Sequence, residues 1–181
     1  MKSRNYREKT WVDPRQSFGP STIHGMGSFA QVPIKAGEVV EIIGGRVMTE
    51  EEFWAFVRTV DRFNAVQIGE NLHLVELPEI TQQRGGGSLN HSCDSNLWML
   101  DEVTVAARRD IMPGEELTVD YALFTGEEGL ILEHDCRCGS PNCRQTITGS
   151  DWKLPEVQQR YYPHFSPFIN ARIEALREKQ K

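Results

Sequence analysis

Cys136-Arg137-Cys138-Gly139-Ser140-Pro141-Asn142-Cys143 carries three of the four cysteines in this 181-residue chain, and the fourth, Cys93, lies within Asn90-His91-Ser92-Cys93-Asp94-Ser95-Asn96. A tight Cys-x-Cys-x4-Cys loop can offer three thiolates to one tetrahedral zinc ion, with a distant segment supplying the last. Four thiolates leave no coordination position open, so such an ion would be structural and would tie the C-terminal part of the chain to the Asn-His segment. The other reading is two disulfides, which need an oxidising compartment. Met1 to Thr10 is polar and charged and does not read as an export signal.

Composition sets the outer bounds. A chain of 181 residues with 39% hydrophobic content can build one ordinary core, so one main domain with small appendages is expected. No apolar run reaches the roughly eighteen residues of a membrane span, and an intracellular, soluble protein is the expectation, cytoplasmic or, in a eukaryote, nuclear. The 20 basic and 26 acidic side chains leave a net charge of -6. That balance is a poor footprint for direct nucleic-acid binding and a fair one for basic partners.

Outward from the cysteines, the chain reads as short strands and few helices. Ser28 to Ile43 is a series of short apolar stretches broken by Pro33 and Gly37, which suits strands and tight turns. Thr49-Glu50-Glu51-Glu52 has the form of a capping box, and Phe53, Phe56, Val57 and Val60 follow at helical spacing, predicting a helix from about 50 to 60. Residues 65–68 and 72–75 alternate around Gly69-Glu70-Asn71 as a hairpin would, and Gly85-Gly86-Gly87 marks a sharp bend. Strand character returns over Leu97 to Ala107 and again from Leu117 to Tyr121, on either side of a Met112-Pro113-Gly114-Glu115 turn. Ser166-Pro167 is an N-cap and first-position pair for a last helix. Its Ile169, Ile173 and Leu176 share one face, expected to pack on the body or to form a dimer contact. The class is mainly β, or α+β.

Gly25-Met26-Gly27-Ser28-Phe29-Ala30 matches a dinucleotide fingerprint only in spelling, because Pro33 prevents the helix that such a turn must open. Its glycines still let backbone approach a ligand closely. Asn90-His91 sits among apolar flanks, and buried side chains of these types must find partners. Tyr121 ends the strand Glu116-Leu117-Thr118-Val119-Asp120-Tyr121 and offers a phenol that can donate or accept.

Taken in order, the Gly-x-Gly turn, the Asn-His-Ser-Cys segment, the Glu-Leu-x-x-Asp-Tyr strand and the Cys-x-Cys-x4-Cys loop resemble the SET-domain protein lysine methyltransferases with a post-SET zinc motif. The likeness runs from about Ser21 to Arg144, roughly two thirds of the chain. The resemblance implies a SET-type fold of several small sheets, with a knot-like crossing of the tyrosine strand and the Asn-His segment. It divides the chain into an N-terminal extension (1–20), a SET domain (21–125), a post-SET zinc motif (126–150) and a C-terminal helical extension (151–181). S-adenosylmethionine would be the methyl donor, held by Gly25, Met26, Gly27, Asn90 and His91. Tyr121 would border both the cofactor and the transfer centre as the catalytic residue, and a lysine of a protein or peptide would be the acceptor. Cys93, Cys136, Cys138 and Cys143 match the family's ligands to one structural zinc ion.

Three departures bear on the same site. Many members have arginine and phenylalanine before Asn-His, where this chain has Gly87 and Ser88, leaving Arg84 as the nearest cation for the cofactor carboxylate. Val119 stands where the family often has an aromatic ring, which leaves more room at the lysine nitrogen. Phe63 and Asn64 stand where many members place a channel tyrosine. A competing reading is therefore a catalytically inactive SET-like module that binds a partner's tail; a zinc-stapled nucleic-acid-binding protein is a further alternative, opposed by the acidic balance.

Overall fold

The computed structural model describes residues 5–60, 63–83, 89–132 and 135–179, the side chain of Gln83 excepted. Arg84, Gly85-Gly86-Gly87 and Ser88, the expected bend and the departures just before Asn90, lie outside them. In chain order the strands are β1 (Trp11–Val12), β2 (Gln16–Pro20), β3 (Met26–Ala30), β4 (Val39–Ile42), β5 (Arg46–Thr49), β6 (Asn64–Gly69), β7 (Leu72–Glu76), β8 (Asn90–His91), β9 (Leu97–Met99), β10 (Thr104–Ala107) and β11 (Glu116–Val119). The helices are α1 (Glu50–Val57), α2 (Pro78–Gln83), α3 (Pro155–Tyr161) and α4 (Pro167–Lys179).

Among the described residues the strands form three small sheets, ordered β1-β4-β10-β9, β2-β3-β11-β8 and β5-β7-β6. The second sheet positions the site. β11 pairs antiparallel with β3 on one side and parallel with β8 on the other, bringing Thr118 opposite Asn90 and Val119 opposite His91. A parallel pair needs a long crossover, and here the chain between β8 and β11 supplies it as the β9–β10 hairpin of a different sheet. Asn96 fixes that arrangement: its amide donates to the Glu116 carbonyl at 2.8 Å and accepts from the Thr118 N–H at 2.9 Å.

Local chemistry set several elements as expected. Thr49 and Glu52 close a reciprocal capping box, Thr49 Oγ1 accepting from Glu52 N–H at 3.3 Å and Glu52 Oε2 from Thr49 N–H at 2.8 Å. The helix behind it stops at Val57, so Val60 falls past its end. The β6–β7 hairpin turns through Asn71 at φ 57°, a left-handed conformation that asparagine tolerates better than most residues. Leu97 to Ala107 is two strands rather than one, folded back where the Asp101 carboxylate accepts from Val103 and Thr104 N–H.

Other elements differ in detail from the sequence pattern. β1 and β2, which fall within the expected N-terminal extension, are woven into the sheets: β2 pairs with β3 along its whole length and β1 extends the first sheet. Tyr121 lies two residues beyond its strand, opening a 3-10 turn (Tyr121–Leu123) capped by Asp120. Ser166 precedes α4 with Pro167 at the first position, but its buried hydroxyl has no hydrogen-bond partner. The apolar face of α4 is covered by the chain's own core. Ile169 and Ile173 are fully buried with Trp152, Tyr161 and Phe165 against Leu97, Met99 and Leu123, and Leu176 packs at the edge. Each isoleucine contributes roughly 1.5–3 kcal/mol relative to exposure, so the C-terminal extension closes the core of the domain.

Candidate functional site

A cleft of about 880 Å³ runs between the second sheet, the β6–β7 hairpin with α1, and the cysteine-bearing lobe. Its wall brings together Gly25, Met26, Asn90, His91 and Tyr121 with Phe63, Asn64 and Val119, residues separated by up to 96 positions in sequence. Gly27 is buried behind this wall. The volume is within the range of small-molecule sites.

Asn90 organises the Gly-x-Gly turn. Its side-chain amide donates to the His24 carbonyl at 3.0 Å, the Met26 carbonyl at 3.4 Å and Glu116 Oε1 at 2.7 Å. Glu116 Oε2 in turn accepts from Ser21 Oγ at 2.8 Å, and the turn is closed by Ser21 N–H donating to the Gly25 carbonyl. Gly25 adopts φ 48° with open space where a side chain would be, leaving bare backbone at the cleft. A Cβ on Gly27 would stand 2.2 Å from Glu116 Oε1, so that glycine is required for close approach. Glu116 was legible only as part of a strand; nothing in the sequence says that its carboxylate joins three segments.

Both nitrogens of the His91 ring are engaged inside the protein. Nδ1 accepts from Tyr121 N–H at 3.2 Å, and since a backbone amide can only donate, the ring proton sits on Nε2, 3.3 Å from Cys93 Sγ. Burial pushes His91 down to about 4, against the pull of the Asp120 carboxylate 3.7 Å away, so the ring is neutral. Tyr121 packs edge-on against His91, and its hydroxyl donates to the Leu89 carbonyl at 3.3 Å. Loss of hydration, with the Cys136 thiol nearby, raises this phenol to about 12. It is therefore a neutral hydrogen-bonding group at physiological pH.

Of the expected channel residues, Val119 is 2% exposed, and Phe63 meets Phe53 edge to face with ring centroids 5.5 Å apart. Asn64 Nδ2 reaches Thr81 Oγ1 at 3.2 Å and Glu76 Oε2 at 3.5 Å. Phe53 also stacks on His73, centroids 4.1 Å apart.

The four cysteines are unpaired, and their sulfurs all lie within 4.8 Å of one another. Tetrahedral zinc with bonds of about 2.3 Å holds its sulfurs roughly 3.8 Å apart, so the donor set fits one such ion. Although burial opposes it, hydrogen bonds from backbone and neighbouring thiols bring Cys138 down to about 7. Cys136 also lines the cleft, which makes the cysteine lobe one of its walls.

Sequence reasoning missed the polar link behind this lobe. Arg144, the residue after Cys143, grips Asp120 with both terminal nitrogens at 2.7 and 2.8 Å and Asp151 through Nε at 2.7 Å. Its backbone N–H points at Cys93 Sγ, 3.3 Å away. Asp120 is fully buried and Asp151 nearly so. From the C-terminal extension, Arg160 donates to the Cys93 carbonyl at 2.5 Å, and the Tyr161 hydroxyl accepts from Ser95 N–H at 3.0 Å.

Comparison with known proteins gives a family match and a fold likeness. Residues 25–122, more than half of the chain, match the SET domain family. Histone-lysine N-methyltransferase TRX1 of Oryza sativa subsp. japonica is 32% identical over 146 residues, covering 74% of this chain and 14% of that protein. Histone-lysine N-methyltransferase ash1 of Drosophila melanogaster is 33% identical over 155 residues, covering 75% of this chain and 6% of its own length. This chain thus spans a small part of the curated relatives it matches. Among solved structures, the methyltransferase domain of human histone-lysine N-methyltransferase SETMAR superposes with a TM-score of 0.54 at 19% identity, over 74% of this chain and 58% of that one.

Proposed function

Because the chain belongs to the SET-domain family, we propose that it is a protein lysine N-methyltransferase, moving a methyl group from S-adenosylmethionine to the side-chain amine of a protein or peptide lysine. The observation that carries this reading is the convergence of the Gly25-Met26 backbone, Asn90, His91 and Tyr121 on one cleft walled by the cysteine lobe. The names of the matched relatives add histones as the first acceptors to try. An intracellular location, cytoplasmic or nuclear, accords with four free thiols. Cys93, Cys136, Cys138 and Cys143 would hold one structural zinc ion that keeps this wall folded.

S-adenosylmethionine, when bound, supplies an electrophilic methyl group on a sulfonium. The chain's own residues do the rest. Gly25, Met26 and Gly27 offer exposed or closely approachable backbone, and Asn90 holds that turn in place. With the His91 ring engaged on both sides, the backbone at Asn90 and His91 is what remains to meet the cofactor. An attacking lysine must be neutral, whereas its ordinary pKa is about 10.4. Phe53, Phe63 and Val119 make the adjoining walls apolar, and desolvation there shifts the amine toward its neutral form. Tyr121, already donating to Leu89, has oxygen lone pairs left to accept from the amine N–H and so to aim its own lone pair. Val119, small where a ring is common in the family, leaves room for an amine that already carries methyl groups.

The test is transfer of labelled methyl to mixed core histones. Tyr121→Phe should lower turnover by about a hundred-fold while leaving S-adenosylmethionine affinity within about three-fold, read by separate titration. Equal turnover in the variant would remove Tyr121 from the site. A native protein that binds the cofactor and transfers nothing would favour the inactive module.

A further inference from the structure

Two chains of contacts leave the Cys93 sulfur and end on the same turn, at Asp120 to Ala122. One passes through His91: its Nε2–H points at Cys93 Sγ at 3.3 Å, and its Nδ1 accepts the Tyr121 N–H at 3.2 Å. The other passes through Arg144: its backbone N–H meets Cys93 Sγ at 3.3 Å, and its guanidinium takes both oxygens of Asp120. Asp120 then caps the turn that begins at Tyr121, Oδ1 accepting from Ala122 N–H at 3.1 Å. Arg144 is anchored from behind by Asp151, itself fixed by Thr148 Oγ1 at 2.7 Å. A planar guanidinium gripping a fully buried carboxylate in two places holds it in both position and tilt, which an ammonium cannot do.

We propose that Arg144 is a positioning residue for methyl transfer, coupling the cysteine cluster to Tyr121 by holding the Asp120 carboxylate that caps the Tyr121 turn. The assignment rests on the reading of Tyr121 as the transfer-site phenol. It gives the thiolate cluster a second task besides folding its lobe: its most buried sulfur is the common origin of both struts on the Asp120–Tyr121 unit. The C-terminal extension takes part through Asp151, so its role is not confined to covering the core.

The test compares zinc-loaded native protein with Arg144→Lys, which keeps the charge and loses the two-point grip. Four readouts are taken: zinc per chain, S-adenosylmethionine affinity by titration, methyl transfer to mixed core histones, and hydrogen exchange at the Tyr121 and Ala122 amides. Arg144→Lys should retain one zinc per chain and bind the cofactor within about three-fold of native. Its turnover should fall by about ten- to a hundred-fold, as for other residues that orient a site from behind, and both amides should exchange about ten-fold faster. Asp151→Asn, which leaves the Asp120 grip in place, serves if the lysine variant fails to fold and should give the same pattern at about three-fold. Native turnover and native exchange in these variants would overturn the proposal. So would a loss of turnover that tracks zinc content, since Arg144 would then act on the metal lobe alone. Should native protein transfer no methyl at all, the enzymatic reading fails, while the exchange rates still decide whether the clamp holds the turn.

Discussion

Gly27 and Glu116 illustrate what a single position decides. A methyl group on Gly27 would overlap the Glu116 carboxylate, whose two oxygens are already engaged by Asn90 and Ser21. Gly27→Ala should therefore expel that carboxylate and leave the buried Asn90 amide short of its closest acceptor, destabilising the domain by about 1–3 kcal/mol. Cofactor affinity should fall with it. Thermal unfolding and titration check this, and an alanine variant with native values in both would show that the turn does not depend on Glu116. The sequence made Gly25, Asn90, Tyr121 and the cysteines legible because residue types with few bland uses stood at tell-tale spacings. Glu116, Asp120, Arg144 and Asp151 were not legible as partners. A charged residue in a strand or loop is ordinarily solvated, and only the fold reveals that these carboxylates face other segments.

At the scale of elements, what the sequence showed was local. The α1 capping box and the β6–β7 hairpin are built from neighbours, and both formed where their signals stood. α3 and the end of β11 are set by distant contacts: Tyr161 is buried against Ser95, and the chain leaves β11 before Tyr121 because Asp120 turns in to Arg144. The α1–hairpin unit also carries a pH signature. Burial beneath Phe53 depresses His73 to about 4, from an ordinary value of 6.5. Between those values the unfolded chain binds the proton and the folded one does not, so stability rises with pH across the window. The stability present above pH 6.5 is lost as the pH falls toward 4, by an amount on the order of 3 kcal/mol. Replacing His73 with leucine should flatten that part of the denaturant-measured pH profile, leaving the parallel contribution of buried His91 in place. An unchanged slope would mean that His73 is solvated in the folded state.

The molecule as a whole joins parts that neither composition nor periodicity ties together. β1 and β2 complete two sheets, the C-terminal helices close the core, and the cysteine lobe forms a wall of the cleft. The family resemblance anticipated the small sheets and the cysteine cluster, because those motifs survive in order along the chain. It could not anticipate how far the extensions are built into the domain, since their contacts involve common apolar residues such as Ile169 and Ile173 with no motif of their own. The proposed methyl transfer to a lysine amine depends on a cysteine-held wall that completes the cleft. Its most direct test is mass spectrometry of mixed core histones incubated with S-adenosylmethionine and the protein, zinc-loaded in one arm and stripped by a strong chelator in the other. Methyl groups are expected on lysine side-chain nitrogens in the zinc-loaded arm and none in the stripped arm. Equal methylation in both arms, or methyl groups on some other residue type, would contradict the proposal.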